Sequence, residues 1–100
     1  MKNPLSYQRV LQFSVTMIYY VYIIFSTSLG RYYVGHTHEL DKRIRDHNSG
    51  LNRSTKNGLP WELVTYFECG MRGEAIKLEN KIKKRGIRRF SNDLDSKEPD

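Results

Sequence analysis

Residues 17 to 25, MIYYVYIIF, constrain the fold of this chain more than any other segment. Nearly every position in this run is β-branched or aromatic, which favours a strand buried on both faces over a short helix. The polar stretch STSLGR follows it, and Gly30 can adopt the positive φ that a tight turn requires. Residues 31 to 35, RYYVG, are typical of a second short strand. Because the two segments are so close in sequence, we expect them to pair as an antiparallel hairpin.

A helix is predicted directly after the hairpin. Over residues 39 to 49, Leu40 and Ile44 are spaced so that they lie on one helical face. Thr37 is the expected N-cap of this helix, because its hydroxyl can accept a hydrogen bond from a free backbone N–H. Gly50 is expected to end it. A polar, basic loop follows over residues 50 to 60.

The second half of the chain predicts one strand and one helix. Residues 61 to 69, WELVTYFEC, alternate in part between apolar and polar positions and indicate a third strand. Residues 72 to 84 indicate a second helix, ended by Gly86, with one apolar face formed by Ala75, Leu78 and Ile82. The predicted order is β-β-α-β-α. This order favours an α+β fold, an α/β sandwich with a three-stranded, mostly antiparallel sheet flanked by helices.

Changes in composition divide the chain into three parts. Residues 1 to 16 have no clear period and are predicted to be an N-terminal extension. Residues 17 to 90 are predicted to form the domain, with a single core as expected for a chain of 100 residues. Residues 91 to 100 are predicted to be an acidic C-terminal tail.

Charge and cysteine content narrow the classes of function and location. The formal net charge is +6, and an excess of Lys and Arg favours a polyanionic partner. Cys69 is the single cysteine, so neither an intramolecular disulfide nor a Cys-based zinc site can form, and a reducing cytoplasm is expected. The apolar run from Val15 to Phe25 is too short to span a bilayer, and no small-residue cleavage site follows it.

Two tripeptides and the residues that follow them resemble the GIY-YIG nuclease family. YVY at residues 20 to 22 and YVG at residues 33 to 35 place Tyr22 and Tyr33 eleven positions apart, and Arg43 follows ten positions later. The HNSG segment from residue 47, the Pro60–Trp61 pair and EAIKLE from residue 74 are similar to small stand-alone bacterial members. The resemblance covers roughly residues 17 to 89. One departure is Tyr20, which stands where the first tripeptide of the family has glycine.

The resemblance implies hydrolysis of phosphodiester bonds with one divalent metal ion, Mg²⁺ or Mn²⁺. Glu79 matches the metal-binding glutamate of the family, and Mg²⁺ typically binds one or two carboxylates and keeps several waters. Glu79 lies beside the apolar seam of the second predicted helix and can face the sheet. The alternative for Glu79 is an exposed side chain paired with Lys83 one turn away.

Four further residues match catalytic positions of the family. Tyr22 matches the proposed general base, although a free phenol has a pKa near 10 and needs a nearby cation or metal ion. Tyr33 matches the tyrosine that orients the nucleophile or the phosphate. The alternative for both is a strand tyrosine with a packed ring. Arg43 matches an arginine that holds two phosphate oxygens, with a surface pair to Glu39 as the alternative. His47 is expected to relay a proton or to contact phosphate, and its alternative is a half-buried helix histidine.

A basic run continues from the second predicted helix. Together with two cations in the loop before the third strand, it is predicted to contact phosphates of a nucleic acid through backbone or shape recognition. The alternative is a solvated helix end. The predicted nucleic-acid-binding residues are Arg53, Lys56, Lys83, Lys84, Arg85, Arg88 and Arg89.

Two functions follow from these residues. The first is a metal-dependent DNA endonuclease acting in repair or recombination. The second is a catalytically weak nucleic-acid-binding module of the same fold. Retention of both tyrosines, the arginine and the glutamate favours the enzyme, because binding alone needs no carboxylate beside the phosphate. The chain is expected to bind DNA and no membrane, and either to be weakly specific or to work with a protein partner that targets it.

Overall fold

The computed structural model describes residues 17–96, and the extension predicted for residues 1–16 lies outside them. The predicted β-β-α-β-α order is confirmed, and a third helix follows it. A single turn of 3-10 helix, Lys56–Gly58, precedes the last strand. Within the described residues the elements are β1 (Tyr19–Ser26), β2 (Arg31–Thr37), α1 (Leu40–Ser49), β3 (Trp61–Cys69), α2 (Arg72–Arg85) and α3 (Ile87–Ser96).

The three strands form one antiparallel sheet in the order β2-β1-β3, so β1 is the central strand. Tyr22 in β1 pairs with Gly35 in β2 on one side and with Tyr66 in β3 on the other. The predicted hairpin is confirmed by the pairing of β1 with β2. Gly30 closes the turn with a φ of 65°, and its N–H donates to the Ser26 carbonyl at 2.8 Å.

Helices cover both faces of the sheet, which explains why Val21 to Ile24 are all buried. On one face, Tyr22, Ile24 and Trp61 pack with Tyr33 and with α1. On the other face, a second cluster joins side chains of the sheet to side chains of α2, and α3 packs against it. Its buried members are Val21, Ile23, Val34, Ala75 and Ile82. A continuous apolar run is therefore required in β1, because its side chains meet helices on both sides.

A β-bulge in β3 explains why its sequence alternates only in part. Ile23 pairs with Thr65 and Ile24 pairs with Leu63, so Val64 is an extra residue in β3. Because a bulge adds one residue to a strand, the alternation of its side chains between the two faces of the sheet is reversed beyond the bulge. Trp61 and Tyr66 are five residues apart, yet both pair with β1 residues of the face that α1 covers. Trp61 pairs with Ser26, and Tyr66 pairs with Tyr22.

Helix α1 begins later than the sequence predicts, and its cap is different. Glu39 occupies the N-cap position without a side-chain capping bond, so the prediction of Thr37 as N-cap is wrong. Thr37 ends β2, and its hydroxyl accepts a hydrogen bond from the Glu39 N–H at 3.0 Å. Near the other end of α1, Asn48 bonds both backbone groups of Trp61, at 2.6 Å and 3.0 Å. These bonds fix α1 against the start of β3.

Helix α3 was not predicted, and it crosses position 90, where the sequence placed the end of the domain. Phe90 packs edge-on against Phe67, with ring centroids 5.9 Å apart. Arg88 donates to the Gly30 carbonyl and stacks over the Tyr32 ring. The first part of the predicted acidic tail is therefore helical, and the domain boundary at 90 stays a prediction. Across residues 17–96, no helix has both the length and the apolar character needed to cross a bilayer.

Candidate active site

Tyr22 lies at the centre of the sheet, on the face covered by α1. Its side chain is 1% exposed. The tyrosine hydroxyl extends over Gly35 so closely that a Cβ at position 35 would lie 2.6 Å from Oη. The glycine of the YVG tripeptide is therefore needed for space, because any larger residue would displace the Tyr22 hydroxyl.

The Tyr22 hydroxyl belongs to a buried chain of hydrogen bonds. Oη lies 2.7 Å from Nε2 of His47, and Nδ1 of His47 lies 2.8 Å from the Thr55 hydroxyl. Both His47 and Thr55 are almost fully inaccessible to solvent. The Thr55 carbonyl in turn accepts a hydrogen bond from Trp61 Nε1 at 2.6 Å. Each side chain in this series is therefore fixed by a hydrogen bond to the next one, from Tyr22 through His47 and Thr55 to Trp61.

Burial keeps the two central groups of this chain neutral. Burial raises the pKa of Tyr22, the Tyr33 phenol and the Glu79 carboxylate raise it further, and Arg43 opposes the shift. Burial also lowers the pKa of His47, and the positive charge of Arg43 lowers it again. A neutral imidazole has one donor and one acceptor nitrogen, so His47 can accept from one hydroxyl while it donates to the other.

Tyr33 and Arg43 border this chain. The half-buried Tyr33 ring packs edge-on against His47, with centroids 5.2 Å apart. Arg43 lies one turn before His47 on α1, and its guanidinium acts on both Tyr22 and His47. Glu39, the alternative partner suggested by sequence, lies 3.7 Å from His38 Nδ1.

Glu79 projects from α2 on the opposite face of the sheet, with its side chain 14% exposed. Its Oε1 lies 2.6 Å from Nδ1 of His36, and its Oε2 lies 2.8 Å from Nζ of Lys83. Burial alone would raise the pKa of Glu79, but hydrogen bonds from Lys83 and His36 hold it below its ordinary value. Glu79 pairs with Lys83 one turn away, but its side chain is not the exposed one of the alternative interpretation, and its role as a metal ligand stays a prediction.

The structure brings the five predicted residues into one electrostatic cluster. Tyr33, Arg43 and Glu79 all act on the pKa of Tyr22, and His47 bonds it directly. His36 and Thr55 were not predicted as site residues. His36 directly follows the YVG tripeptide, and Thr55 lies in a polar loop, so no spacing rule identified either of them.

The donor set of this cluster fits a hydrated divalent cation. Glu79 offers an ionised carboxylate whose charge acts on Tyr22, which suits the one or two carboxylates that Mg²⁺ usually takes from protein. Within residues 17–96 no group of three or more His, Cys, Asp or Glu side chains is arranged around a metal position. The remaining ligands of such an ion would therefore be water and phosphate.

A cleft of about 540 Å³ lies at the end of β2 and contains Arg43 of the cluster in its wall. Its wall includes His36 and Arg43, together with Tyr19, Lys42 and Arg72. Glu39 and Asp46 line the same cleft, and Lys42 pairs with Asp46 at 3.1 Å, so the cleft offers a phosphate only a small net positive charge.

The predicted nucleic-acid-binding residues do not form one surface. Lys83 pairs with Glu79, Arg85 forms two hydrogen bonds to Asp93, and Arg88 holds the hairpin turn. Arg53 and Lys56 lie in the loop that follows α1, on its side of the sheet. Lys84 and Arg89 belong to a separate basic groove between α2 and α3. This groove is lined by Lys77, Asn80, Lys81, Lys84, Arg85 and Arg89.

Comparison with known proteins connects this geometry to a family. The model of the GIY-YIG catalytic domain matches residues 18–90. The UPF0213 protein HQ_3675A of Haloquadratum walsbyi (strain DSM 16790 / HBSQ001) is 37% identical over 67 residues, which cover 65% of this chain and 73% of that protein. The solution NMR structure of the UPF0213 protein BH0048 from Bacillus halodurans is similar with a TM-score of 0.51 and 30% identity. That likeness covers 81% of this chain and 86% of the other.

The matched residues contain both tripeptides, the arginine of α1 and the glutamate of α2, which are the groups clustered around Tyr22. The three-stranded sheet with its helices is likewise shared with the structure from Bacillus halodurans. On sequence and on fold, this chain belongs to the GIY-YIG family of nuclease domains.

Proposed function

We propose that this protein is a divalent-metal-dependent endonuclease that hydrolyses DNA phosphodiester bonds in repair or recombination. One observation carries the proposal: an imidazole bonds the Tyr22 hydroxyl, and a phenol, a guanidinium and the Glu79 carboxylate act on it electrostatically, from different elements. Packing alone does not require these groups together, because a buried polar group costs free energy unless it is paired. Hydrolysis of a phosphodiester does require a base and a cation at one place.

The buried chain gives Tyr22 a route for its proton. Tyr22 is protonated in the free protein, since burial raises its pKa, and its Oη lies 2.7 Å from Nε2 of the neutral His47. In the tautomer that carries its hydrogen on Nδ1, Nε2 accepts the hydrogen bond from Tyr22. In the proposed step, Tyr22 takes a proton from water while its own proton moves to Nε2 of His47. The products are hydroxide and imidazolium. The Nδ1–H of that imidazolium stays bonded to Thr55.

Arg43 makes this step dependent on the substrate. In the free protein its positive charge opposes protonation of His47. A phosphate held by the guanidinium fork would supply negative charge beside Arg43 and reduce that repulsion. His47 therefore becomes a better proton acceptor when the scissile phosphate is in place. Tyr33, which packs against His47, borders the same position and is assigned to orient the phosphate.

Glu79 is the proposed ligand of the metal ion, Mg²⁺ or Mn²⁺. When bound, such an ion polarises a phosphoryl oxygen and stabilises the charge that develops on it and on the leaving oxygen. Glu79 supplies a carboxylate that is already ionised. Lys83 must leave Oε2 for an ion to bind there, and its exposed, flexible side chain can do so at little cost.

Contacts to DNA outside the cluster are assigned to the exposed cations. Lys42 and Arg72 are exposed on the wall of the cleft beside the site. Arg53 and Lys56 extend positive charge along the α1 side, and Lys84 and Arg89 extend it along the α2–α3 groove. Phosphate contacts of this kind position a duplex without reading its sequence, so we propose recognition of the backbone or of DNA shape.

A second candidate function is a nucleic-acid-binding module of the same fold that acts with a protein partner. One observation favours it: in the free protein Tyr22 has a raised pKa, and both oxygens of Glu79 are paired. A site in this state binds phosphate through its cations without turning it over. The two candidates differ in whether substrate and metal ion release these groups.

The deciding experiment is a cleavage assay on labelled single-stranded, duplex, flap and four-way-junction DNA, with a matched RNA. Each substrate is incubated with Mg²⁺, Mn²⁺ or EDTA. Wild type is compared with Tyr22→Phe and Glu79→Gln, and Tyr66→Phe is the control, because Tyr66 is an exposed strand tyrosine paired with Tyr22 in the sheet.

We expect metal-dependent cleavage that is lost in Tyr22→Phe and Glu79→Gln and kept in Tyr66→Phe. Cleavage that survives both site substitutions would refute the site assignment. Salt-sensitive binding without cleavage of any substrate would favour the binding module.

A further inference from the structure

The pair formed by His36 and Glu79 has the donor atoms of a metal site. Nδ1 of His36, on β2, lies 2.6 Å from Oε1 of Glu79, on α2. Two ligands that bind one ion at about 2.1 Å and at right angles lie about 3.0 Å apart. An ion beside these atoms therefore needs them to separate by only a few tenths of an ångström, and it needs the His36 ring to turn so that the Nδ1 lone pair faces the ion. The two donor atoms also come from two different elements, so the packing of α2 on β2 fixes the distance between them.

The surroundings leave room for an ion beside this pair. The His36 and Glu79 side chains are 26% and 14% exposed, so they are accessible without being fully solvated. His36 forms part of the wall of the cleft of about 540 Å³ that also contains Arg43. Water and a phosphate oxygen can reach His36 through this cleft, and they would complete the coordination shell of an ion held there.

The partners of Glu79 differ in how they can respond to a cation. Lys83 has no acceptor and can only be displaced by a positive ion, and its side chain is 54% exposed. His36 has a lone pair on whichever ring nitrogen lacks the proton, so it can change from donating a hydrogen bond to binding the ion. Its ring is attached to the paired strand β2, next to Gly35. His36 consequently stays in place when Lys83 leaves.

We infer that His36 is a second protein ligand of the metal ion, binding through Nδ1 beside Glu79, and that its nitrogen makes the site favour Mn²⁺ over Mg²⁺. The inference rests on the proposed function, in which Glu79 binds the ion. Mg²⁺ strongly prefers oxygen ligands, whereas first-row transition metals accept imidazole readily. A site with one carboxylate and one imidazole is therefore biased toward the transition metal.

The test is Mn²⁺ binding to the whole protein, followed by electron paramagnetic resonance, with Mg²⁺ added as competitor. Nitrogen coordination is detected directly as coupling between the Mn²⁺ electron spin and ¹⁴N. Wild type is compared with His36→Gln, which keeps an amide donor for Glu79 but removes the imidazole ligand. The matched control is His38→Gln, because His38 is two positions away and also lies near a glutamate. Glu79→Gln reports on the site as a whole.

We expect ¹⁴N coupling in wild type and in His38→Gln, and none in His36→Gln. Loss of an outer partner of a metal ligand already lowers affinity about 10-fold or more, so loss of a direct ligand should lower Mn²⁺ affinity at least about tenfold. Mg²⁺ affinity should fall less, so the preference for Mn²⁺ should decrease in His36→Gln.

The outcomes separate this inference from the proposed function. If Mn²⁺ binding depends on Glu79 but His36→Gln binds as tightly as wild type, the inference is overturned and the proposed function stands. The absence of ¹⁴N coupling in wild type that binds Mn²⁺ would likewise overturn it. If wild type and Glu79→Gln bind Mn²⁺ equally poorly, both the inference and the metal dependence of the proposed function are overturned.

Discussion

The polar groups on the two faces of the sheet differ in burial and in ionisation. On the α1 face, Tyr22, His47 and Thr55 form a buried chain in which neutral groups bond each other. On the α2 face, Glu79 is ionised and lies between two cationic or polar partners at the border of solvent. Buried groups exchange protons along fixed bonds, whereas a partly hydrated carboxylate can exchange its partners. The first face is therefore suited to proton transfer and the second to binding ions.

The largest expected effect comes from removing the hydroxyl at the centre of the buried chain. Tyr22→Phe should lower the cleavage rate about 10²- to 10⁴-fold, the usual contribution of a general acid–base group. It should also lower the free energy of unfolding by about 1–3 kcal/mol, since Nε2 of His47 loses its buried partner. Single-turnover cleavage and chemical denaturation measure the two effects. An unchanged cleavage rate would remove Tyr22 from the mechanism.

A steric change at Gly35 tests whether the position of the hydroxyl matters as much as its presence. In Gly35→Ala, the new Cβ would meet Oη of Tyr22 at 2.6 Å, so the ring must shift. We expect about 100-fold slower cleavage, as for a catalytic group displaced by about 1 Å, and about 1–3 kcal/mol lower stability.

The control for this change is Gly73→Ala in α2. A methyl group added at Gly73 would have no neighbouring side chain or distant backbone atom within 4 Å, so alanine should raise stability by about 0.5–1 kcal/mol. Equal behaviour of the two variants would contradict the packing argument.

Thr55 tests the far end of the buried chain with a smaller expected effect. Thr55→Val keeps the shape of the side chain but leaves Nδ1 of His47 without its partner at 2.8 Å. We expect a loss of about 1–3 kcal/mol in stability and about tenfold slower cleavage, with a shifted pH profile because the ring is less well held. Thr55→Ser restores the hydroxyl and should recover both. A loss of stability with an unchanged pH profile would make Thr55 purely structural.

The pH dependence of stability should be the smallest of these effects. Because the pKa of His47 is lower in the folded protein than its ordinary 6.5, the unfolded chain binds its proton first as pH falls. The free energy of unfolding should then decrease below pH 6.5, by at most about 1.4 kcal/mol per pH unit, until the folded protein is protonated as well. The contribution of Glu79 has the same sign but is lost only below its ordinary value of 4.5.

The measurement is chemical denaturation at a series of pH values for wild type, His47→Gln and His38→Gln. The decrease just below pH 6.5 should be reduced in His47→Gln and kept in His38→Gln, whose histidine is 46% exposed. An identical decrease in wild type and His47→Gln would show that the buried chain does not carry this dependence.

The sequence predicted those strands and helices that depend on a pattern of residues close together in the chain. The apolar run of β1, the turn glycine and the helical spacing of Leu40 and Ile44 predicted two strands and α1 in the right order. The terminal helix was missed, because its first residues belong to a basic run and its last to an acidic one. Its apolar contact, Phe90 with Phe67, joins residues that are far apart in sequence.

Some residues of the candidate site were also predicted from local patterns, whereas others were identified only from the fold. Spacing and family motifs identified Tyr22, Tyr33, Arg43, His47 and Glu79, because each belongs to a local pattern, and their catalytic roles stay predictions. His36 and Thr55 became visible only when the sheet paired β1 with β2 and the loop after α1 folded under Trp61.

The sequence by itself determined the strands, α1 and α2, the excess of positive charge and the family motifs. Only the tertiary structure decided which groups are neutral, which are ionised, and which face of the sheet each one occupies. The physical reason is that burial and hydrogen-bond partners set the pKa of a side chain, and both depend on residues distant in sequence.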